Sequence, residues 1–305
     1  MRVCIFGAGS LGSVIGGMLV AKHDVTLVGR RQHMDSVRRH GLRLLGDVRR
    51  TVRMKAVVDP SEVESPDLLL ISTKAYDTTT AINECKRFVD DRTKVLTLQN
   101  GLGNLELLRT WKGSTSFGGT TTMGAVLASP GTVRVSGLGR TVIGADMDPD
   151  GARSIARAFE SCGIPVHVKK DVIGEIWGKA VVNACINPTA AVLRVRNGVL
   201  LTSATTVRFM REVCSECEQV AFASGISLPD QHMYARVQNV CSDTADNFSS
   251  MLQDVLKGRR TEIQQINGAF CVHGRARGVR TPLNETLVAM IEPLQFFSKG
   301  ERLIS

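Results

Sequence analysis

The chain has 305 residues, 43% of them hydrophobic, and a formal net charge of +9. That length exceeds what a single hydrophobic core usually serves, and the composition is globular rather than disordered. Aromatic residues make up only 5%, so the basic excess is not interleaved with stacking rings and does not resemble a nucleic-acid surface; a solvated basic face is the commoner explanation of a charge run, and the useful reading is an anionic cofactor or substrate.

The opening run Met1-Arg2-Val3-Cys4-Ile5-Phe6-Gly7 is too short for the apolar region of a secretory leader. The stretch 180–193 carries two Asn and a Pro and falls short of the roughly 18 apolar residues of a membrane span. A cytoplasmic location with no membrane partner is expected. The eight cysteines are scattered except for Cys214 and Cys217, with no second pair at zinc-ribbon spacing; no metal site is expected, and reduced thiols suit that compartment.

In chain order, 3–6, 25–28, 67–72 and 94–98 read as strands, with helices at 11–21 and 76–88, the alternation of a parallel sheet covered on both faces. Residues 131–136 and 141–144, separated by Gly137-Leu138-Gly139-Arg140, predict a β-hairpin, followed by a helix from Gly151 and a strand at 165–168. From about Asp171 the strand signals vanish. Helices are predicted at 205–224, 230–240, 244–257, 261–277 and 283–297, punctuated by Gly225, Pro229, Gly278 and Pro282. The expected fold is therefore α/β: a Rossmann-type doubly wound parallel sheet over residues 1–168, then an all-helical domain over 169–305.

Gly7-Ala8-Gly9-Ser10-Leu11-Gly12 follows a strand and opens a helix, the setting in which G-x-G-x-x-G binds a dinucleotide. Its glycines serve the tight turn, the approach of the pyrophosphate and helix–sheet packing, and the helix N-terminus faces the phosphates. An acid at the end of the second strand would select NAD. The chain has Val28-Gly29-Arg30-Arg31 there, so guanidinium groups suited to a 2′-phosphate favour NADP; which arginine makes the contact is left open. Ser72-Thr73-Lys74-Ala75 and Gln99-Asn100-Gly101-Leu102-Gly103-Asn104 also lie at strand ends, where ligands of open α/β sheets bind.

Lys179, Asn183 and Asn187 recur at i, i+4, i+8 within an apolar helix, placing a cation and two amides on one face over about 12 Å. Buried polar groups need partners, and either the protein or a ligand with several polar groups could supply them. Pro188 is expected to put Asn187 at a helix end or kink. A second polar patch holds Asn247, Ser250, Arg260, Thr261 and Glu262; singly these do not justify a site, since Asn or Ser at a helix start is more often a cap than a ligand and Thr261-Glu262 could simply begin the next helix.

Taken together, these motifs cover nearly the whole chain, which resembles the ketopantoate reductase family. The resemblance implies NADPH-dependent reduction of 2-dehydropantoate to pantoate, in pantothenate and coenzyme A synthesis. It implies Lys179 as general acid and Glu262 as the acid that positions it and touches substrate. Asn183, Asn187, Asn247 and Ser250 would line the substrate pocket, joined by Asn197, for which a turn role is equally good. Arg30, Lys74 and Asn100 would meet NADP. Another 2-oxo acid, or a β-hydroxyacid dehydrogenase, is the close alternative. A non-enzymatic NADP sensor would not need Lys179 and Glu262. A small-molecule 2-oxo acid is the expected partner, and a homodimer is compatible with the sequence.

Overall fold

The computed structural model describes residues 1–144 and 146–297, with side chains to residue 294; the last eight residues of the expected second domain, 298–305, lie outside the described residues. The chain forms two compact units, Met1–Gln99 with Asn104–Ile173, and Asn100–Gly103 with the chain from Gly174 onward.

In the first unit the elements are β1 (Arg2–Phe6), α1 (Ser10–Leu19), β2 (Asp24–Val28), α2 (Arg31–His40), β3 (Leu42–Gly46), β4 (Arg50–Val52), β5 (Lys55–Val57), β6 (Leu68–Ile71), α3 (Thr78–Cys85) and β7 (Lys94–Thr97). They continue with α4 (Asn104–Lys112), β8 (Ser116–Thr121), β9 (Gly124–Ser129), β10 (Thr132–Gly137), β11 (Thr141–Gly144), α5 (Pro149–Glu160) and β12 (Val166–Lys169). An eight-stranded sheet runs β12-β11-β8-β7-β6-β1-β2-β5, parallel from β8 to β5. Its central strand β6, Leu-Leu-Leu-Ile, is buried throughout, as a strand covered on both faces must be. On one face Ile5, Leu27 and Leu70 pack with Val14, Ile15 and Phe159; on the other Cys4, Phe6, Leu69 and Ile71 pack with Ala81, Ile82 and Leu108. Chain direction across the sheet reverses between β1 and β6, which places the Gly7 turn at the switch point, where ligands of this architecture bind.

The predicted hairpin between 131–136 and 141–144 is not formed. β10 pairs with β9, Arg134 facing Val126, in a separate four-stranded sheet ordered β4-β3-β10-β9, whereas β11 pairs with β8, Val142 facing Thr120. The glycines between them do turn the chain, Gly137 at φ +145 and Gly139 at φ +55, but they carry it from one sheet to the other. Gly119 admits the new partner: a Cβ there would lie 2.3 Å from the Val142 carbonyl oxygen.

The second unit holds α6 (Ile173–Leu193), α7 (Ala204–Ala223), α8 (Met233–Asp243), α9 (Ser250–Leu256), α10 (Asn267–Arg277) and α11 (Pro282–Phe297). α10 begins at Asn267 rather than at 261, and α9 at Ser250 rather than at 244. Residues before α9 are spent on pairing with the 196–198 segment: Asn197 N donates to Asn247 O (3.0 Å) and Gly198 N to Ala245 O (3.1 Å). Pro188 does not end α6, which continues to Leu193. The helix is buried on most sides, Trp177 standing edge-on to Phe270 with ring centroids 5.6 Å apart. Among the described residues no helix is long and apolar enough to cross a membrane.

Candidate active site

The Gly7 turn is built so that two of its glycines serve the protein and the third does not. Gly7 has φ +92, and a Cβ on it would lie 2.5 Å from Thr73 N; one on Gly12 would lie 2.4 Å from Ser72 Oγ. A Cβ on Gly9 would meet nothing closer than Gly7 O at 3.8 Å, so its small size leaves space that the fold itself does not fill. Gly7 N and Ala8 N both donate to Val28 O, at 3.0 and 2.8 Å, which fixes the turn against the end of β2. The first-turn amides of α1, at Ser10, Leu11 and Gly12, precede the helix's own bonds, and that turn holds no acid and no side-chain cap. The amides and the positive end of the helix dipole suit an anionic pyrophosphate. The residues therefore fit a dinucleotide. Ser10 Oγ is already engaged as acceptor from Leu127 N at 2.9 Å.

Two features of this turn escaped the sequence reading. His33 on α2 accepts from Gly131 N through Nδ1 (2.8 Å), which leaves its proton on Nε2 to donate to Ser13 Oγ (2.9 Å). The imidazole thus braces α1 against the β9–β10 turn, and burial pulls its pKa below the ordinary histidine value. Gln99 donates through Nε2 to Thr73 O (2.9 Å) and Thr78 Oγ1 (2.9 Å), while its Oε1 accepts from Thr97 Oγ1 (2.8 Å). It pins the loop that carries Lys74, which stands half-exposed just after β6. Arg30 occupies the N-cap position of α2 and is exposed; Arg31, also exposed, lines a groove of about 560 Å³ with Arg38, Asp59, Glu84 and Arg87.

In the helical unit, α6 carries Lys179 and Asn183, both partly buried, and Asn187, which is buried. Burial around the Lys179 ammonium lowers its pKa from the ordinary 10.5 to about 8, and the nearby Glu262 carboxylate resists that fall. Glu262 is only 6% exposed and accepts from Asn100 Nδ2 at 3.4 Å. It lies in the turns before α10, not at that helix's first turn. Lys179, Glu262 and Asn100 therefore form one polar group within this unit.

The remaining expected residues differ in setting. Asn247 and Ser250 are exposed. The cap of α9 is their buried neighbour Ser249, whose hydroxyl accepts from Leu252 N (3.2 Å) and donates to Asn187 O (3.3 Å). Asn197 spends its side-chain amide on Thr244 Oγ1 at 2.9 Å, which makes it a tie between two segments. All eight cysteines are buried thiols, Cys185 among them.

A Rossmann-type sheet whose Gly7 turn fits a dinucleotide, followed by a helical unit, is an architecture of nicotinamide-dependent oxidoreductases. Sequence comparison narrows the class. The family described as "Ketopantoate reductase PanE/ApbA" matches residues 3–147, and "Ketopantoate reductase PanE/ApbA C terminal" matches residues 171–295. The 2-dehydropantoate 2-reductase of Pyrococcus horikoshii is 36% identical, covering 99% of this chain and all of that one. A ketopantoate reductase structure from Ralstonia eutropha JMP134 superposes with TM-score 0.92 at 32% identity, covering 98% of this chain and 100% of that one. D-mandelate dehydrogenase bound to NADH and anilino(oxo)acetate superposes with TM-score 0.90 at 26% identity over 97% of this chain and 99% of that one. The chain belongs to the ketopantoate reductase family.

Proposed function

We propose that this protein reduces 2-dehydropantoate to pantoate with NADPH, a step of pantothenate and coenzyme A synthesis, and that Lys179 is the general acid. The observation that carries the reading is a lysine with its pKa near 8 beside Glu262, on the helix that also bears Asn183 and Asn187. The reductase names of its relatives over the full chain length support the substrate. Residues 1–168 are assigned to the cofactor and 169–305 to substrate and catalysis.

When bound, NADPH supplies a hydride to the ketone carbon. The amides of Ser10, Leu11 and Gly12 would hold the pyrophosphate, with Gly7 and Ala8 shaping the turn, Arg30 or Arg31 would take the 2′-phosphate, and Lys74 and Asn100 would contact the cofactor. Lys179 Nζ stabilises the negative charge that develops on the ketone oxygen and passes it a proton. Glu262 keeps Lys179 protonated near neutral pH by opposing the desolvation of the ammonium. Asn183, Asn187, Asn247 and Ser250 hold the carboxylate and hydroxyl of the substrate, fixing the carbonyl for attack.

A second reading, reduction of a different 2-oxo acid, is favoured by the likeness to D-mandelate dehydrogenase. Steady-state oxidation of NADPH and NADH against a panel of 2-oxo acids separates the two. A kcat/KM highest for 2-dehydropantoate with NADPH supports the first. A preference for an aryl 2-oxo acid establishes the second. Arg30→Ala and Arg31→Ala, assayed with both cofactors, identify the phosphate contact as the one whose loss costs NADPH about 1.5–3 kcal/mol and NADH little.

A further inference from the structure

Helix α6 contains Pro188. A proline has no amide proton, so the carbonyl four residues earlier, that of Ala184, loses its helical donor. Ala184 lies between Asn183 and Asn187 in sequence, to one side of the face that they share with Lys179. Its carbonyl is nevertheless satisfied, because Asn267 Nδ2 donates to Ala184 O at 3.0 Å from the first residue of α10. Asn267 is fully buried.

The orientation of Asn267 is dictated from further back. Its Nδ2 also donates to Asn284 Oδ1 at 3.0 Å, and Asn284 Nδ2 donates to Glu216 Oε2 at 2.7 Å. A carboxylate only accepts, so Glu216 forces the amide of Asn284 to present its nitrogen inward and its oxygen toward Asn267. That oxygen and the Ala184 carbonyl are both acceptors, and only the NH2 of Asn267 can serve the two. The orientation holds although it leaves the buried Asn267 Oδ1 without a hydrogen-bond partner. Glu216 is held in turn by Leu283 N (2.9 Å) and Asn284 N (3.0 Å) at the start of α11.

We infer that Asn267 is a positioning residue for the reaction: its side-chain amide replaces the donor missing at Pro188 and holds α6 helical through the proline. The relay Glu216–Asn284–Asn267–Ala184 thereby keeps Asn187 in line with Asn183 and Lys179, although none of the relay side chains is assigned to the substrate. The inference rests on the proposed role of that polar face.

The test is a double-mutant cycle of Asn267→Ala and Pro188→Ala, read by kcat, by KM for the best 2-oxo acid of the panel and by Tm. Asn267→Ala is expected to lower kcat at least tenfold and to lower Tm. Pro188→Ala restores a backbone donor to the Ala184 carbonyl, so the double variant is expected to recover at least half of the loss in both kcat and Tm. A double variant no better than Asn267→Ala, or one that cannot fold, overturns the inference, since the residue would then matter only for its packing and its bond to Asn284. Recovery of Tm without recovery of kcat overturns the positioning role. Should Asn267→Ala fail to fold, a folded and active double variant still supports it. A wild type that reduces nothing in the panel defeats the functional reading instead, and with it the positioning role.

Discussion

Asn100 Nδ2 reaches Glu262 Oε2 across 3.4 Å, so the loop that leaves β7 is tied to the acid that neighbours Lys179. The tie is reinforced by Leu102 N donating to Gln265 O at 2.9 Å. Gly101 makes the approach feasible: at φ +84, a Cβ there would stand 2.4 Å from the same carbonyl oxygen. If the two side chains act as a unit, Asn100→Ala and Glu262→Ala will not add. Their coupling in kcat/KM is expected at about 0.5–3 kcal/mol in a double-mutant cycle. Strict additivity would assign Asn100 a separate role.

Gly7 and Gly9 should fail differently if this turn holds the cofactor. Gly7→Ala meets Thr73 backbone at 2.5 Å in a left-handed conformation, so it is expected to lower Tm and damage the whole unit. Gly9→Ala meets nothing closer than Gly7 O at 3.8 Å, an ordinary contact, so Tm should be nearly unchanged while NADPH affinity falls at least tenfold. Fluorescence titration with NADPH beside thermal unfolding distinguishes them; a Gly9→Ala protein that binds NADPH normally would remove this turn from the cofactor site.

Elements defined by local signals could be read before folding. β1, the Gly7 turn and α1 are contiguous in sequence, and the i, i+4, i+8 spacing of Lys179, Asn183 and Asn187 is a property of one helix. What the sequence concealed was pairing between distant segments. The alternation in β10 was legible, but its partner β9 and the unrelated partner of β11 depend on which sheet each strand joins. Pro188 carries a local rule that favours a break, and the donor that overrides it comes from Asn267, 79 positions away by subtraction of the two residue numbers. Asn247 and Ser250 were visible as a polar cluster, yet the buried cap proved to be Ser249, because capping depends on where the helix starts.

His33 makes the first unit sensitive to acid. Its neutral form is required by the bond from Gly131 N to Nδ1, and burial lowers its pKa below 6.5 in the folded state. The unfolded chain therefore takes up a proton first as pH falls, so this contribution is present above about 6.5 and is lost progressively below it. The decrease in Tm between pH 7.5 and pH 5.5 should be larger for wild type than for His33→Gln. An equal decrease in both would place the acid sensitivity elsewhere.

If Lys179 is the general acid, activity and stability are expected to have opposite pH dependences. Its pKa of about 8 means that the proton needed by the forming alkoxide is present below that value, so kcat/KM should fall as pH rises through about 8. The unfolded chain keeps its lysine proton up to the ordinary 10.5, and between the two values it binds more protons than the folded one. The contribution of this group to stability accordingly rises with pH over that window. Loss of activity near pH 8 thus cannot be loss of fold at this residue. Lys179→Met keeps an apolar stem and removes the desolvated cation; kcat is expected to drop by roughly 10²–10⁴ while Tm at pH 7 stays level or rises. Lys179→Arg keeps a charge but gives up its proton poorly, so the activity that survives should lack the alkaline limb. NADPH titrations should be near wild type in both variants if the cofactor is held by the Gly7 turn. A Lys179→Met protein that turns over within a few-fold of wild type, or retains the limb near pH 8, would remove Lys179 from the chemistry and leave it a lysine whose stem packs on α6's neighbours.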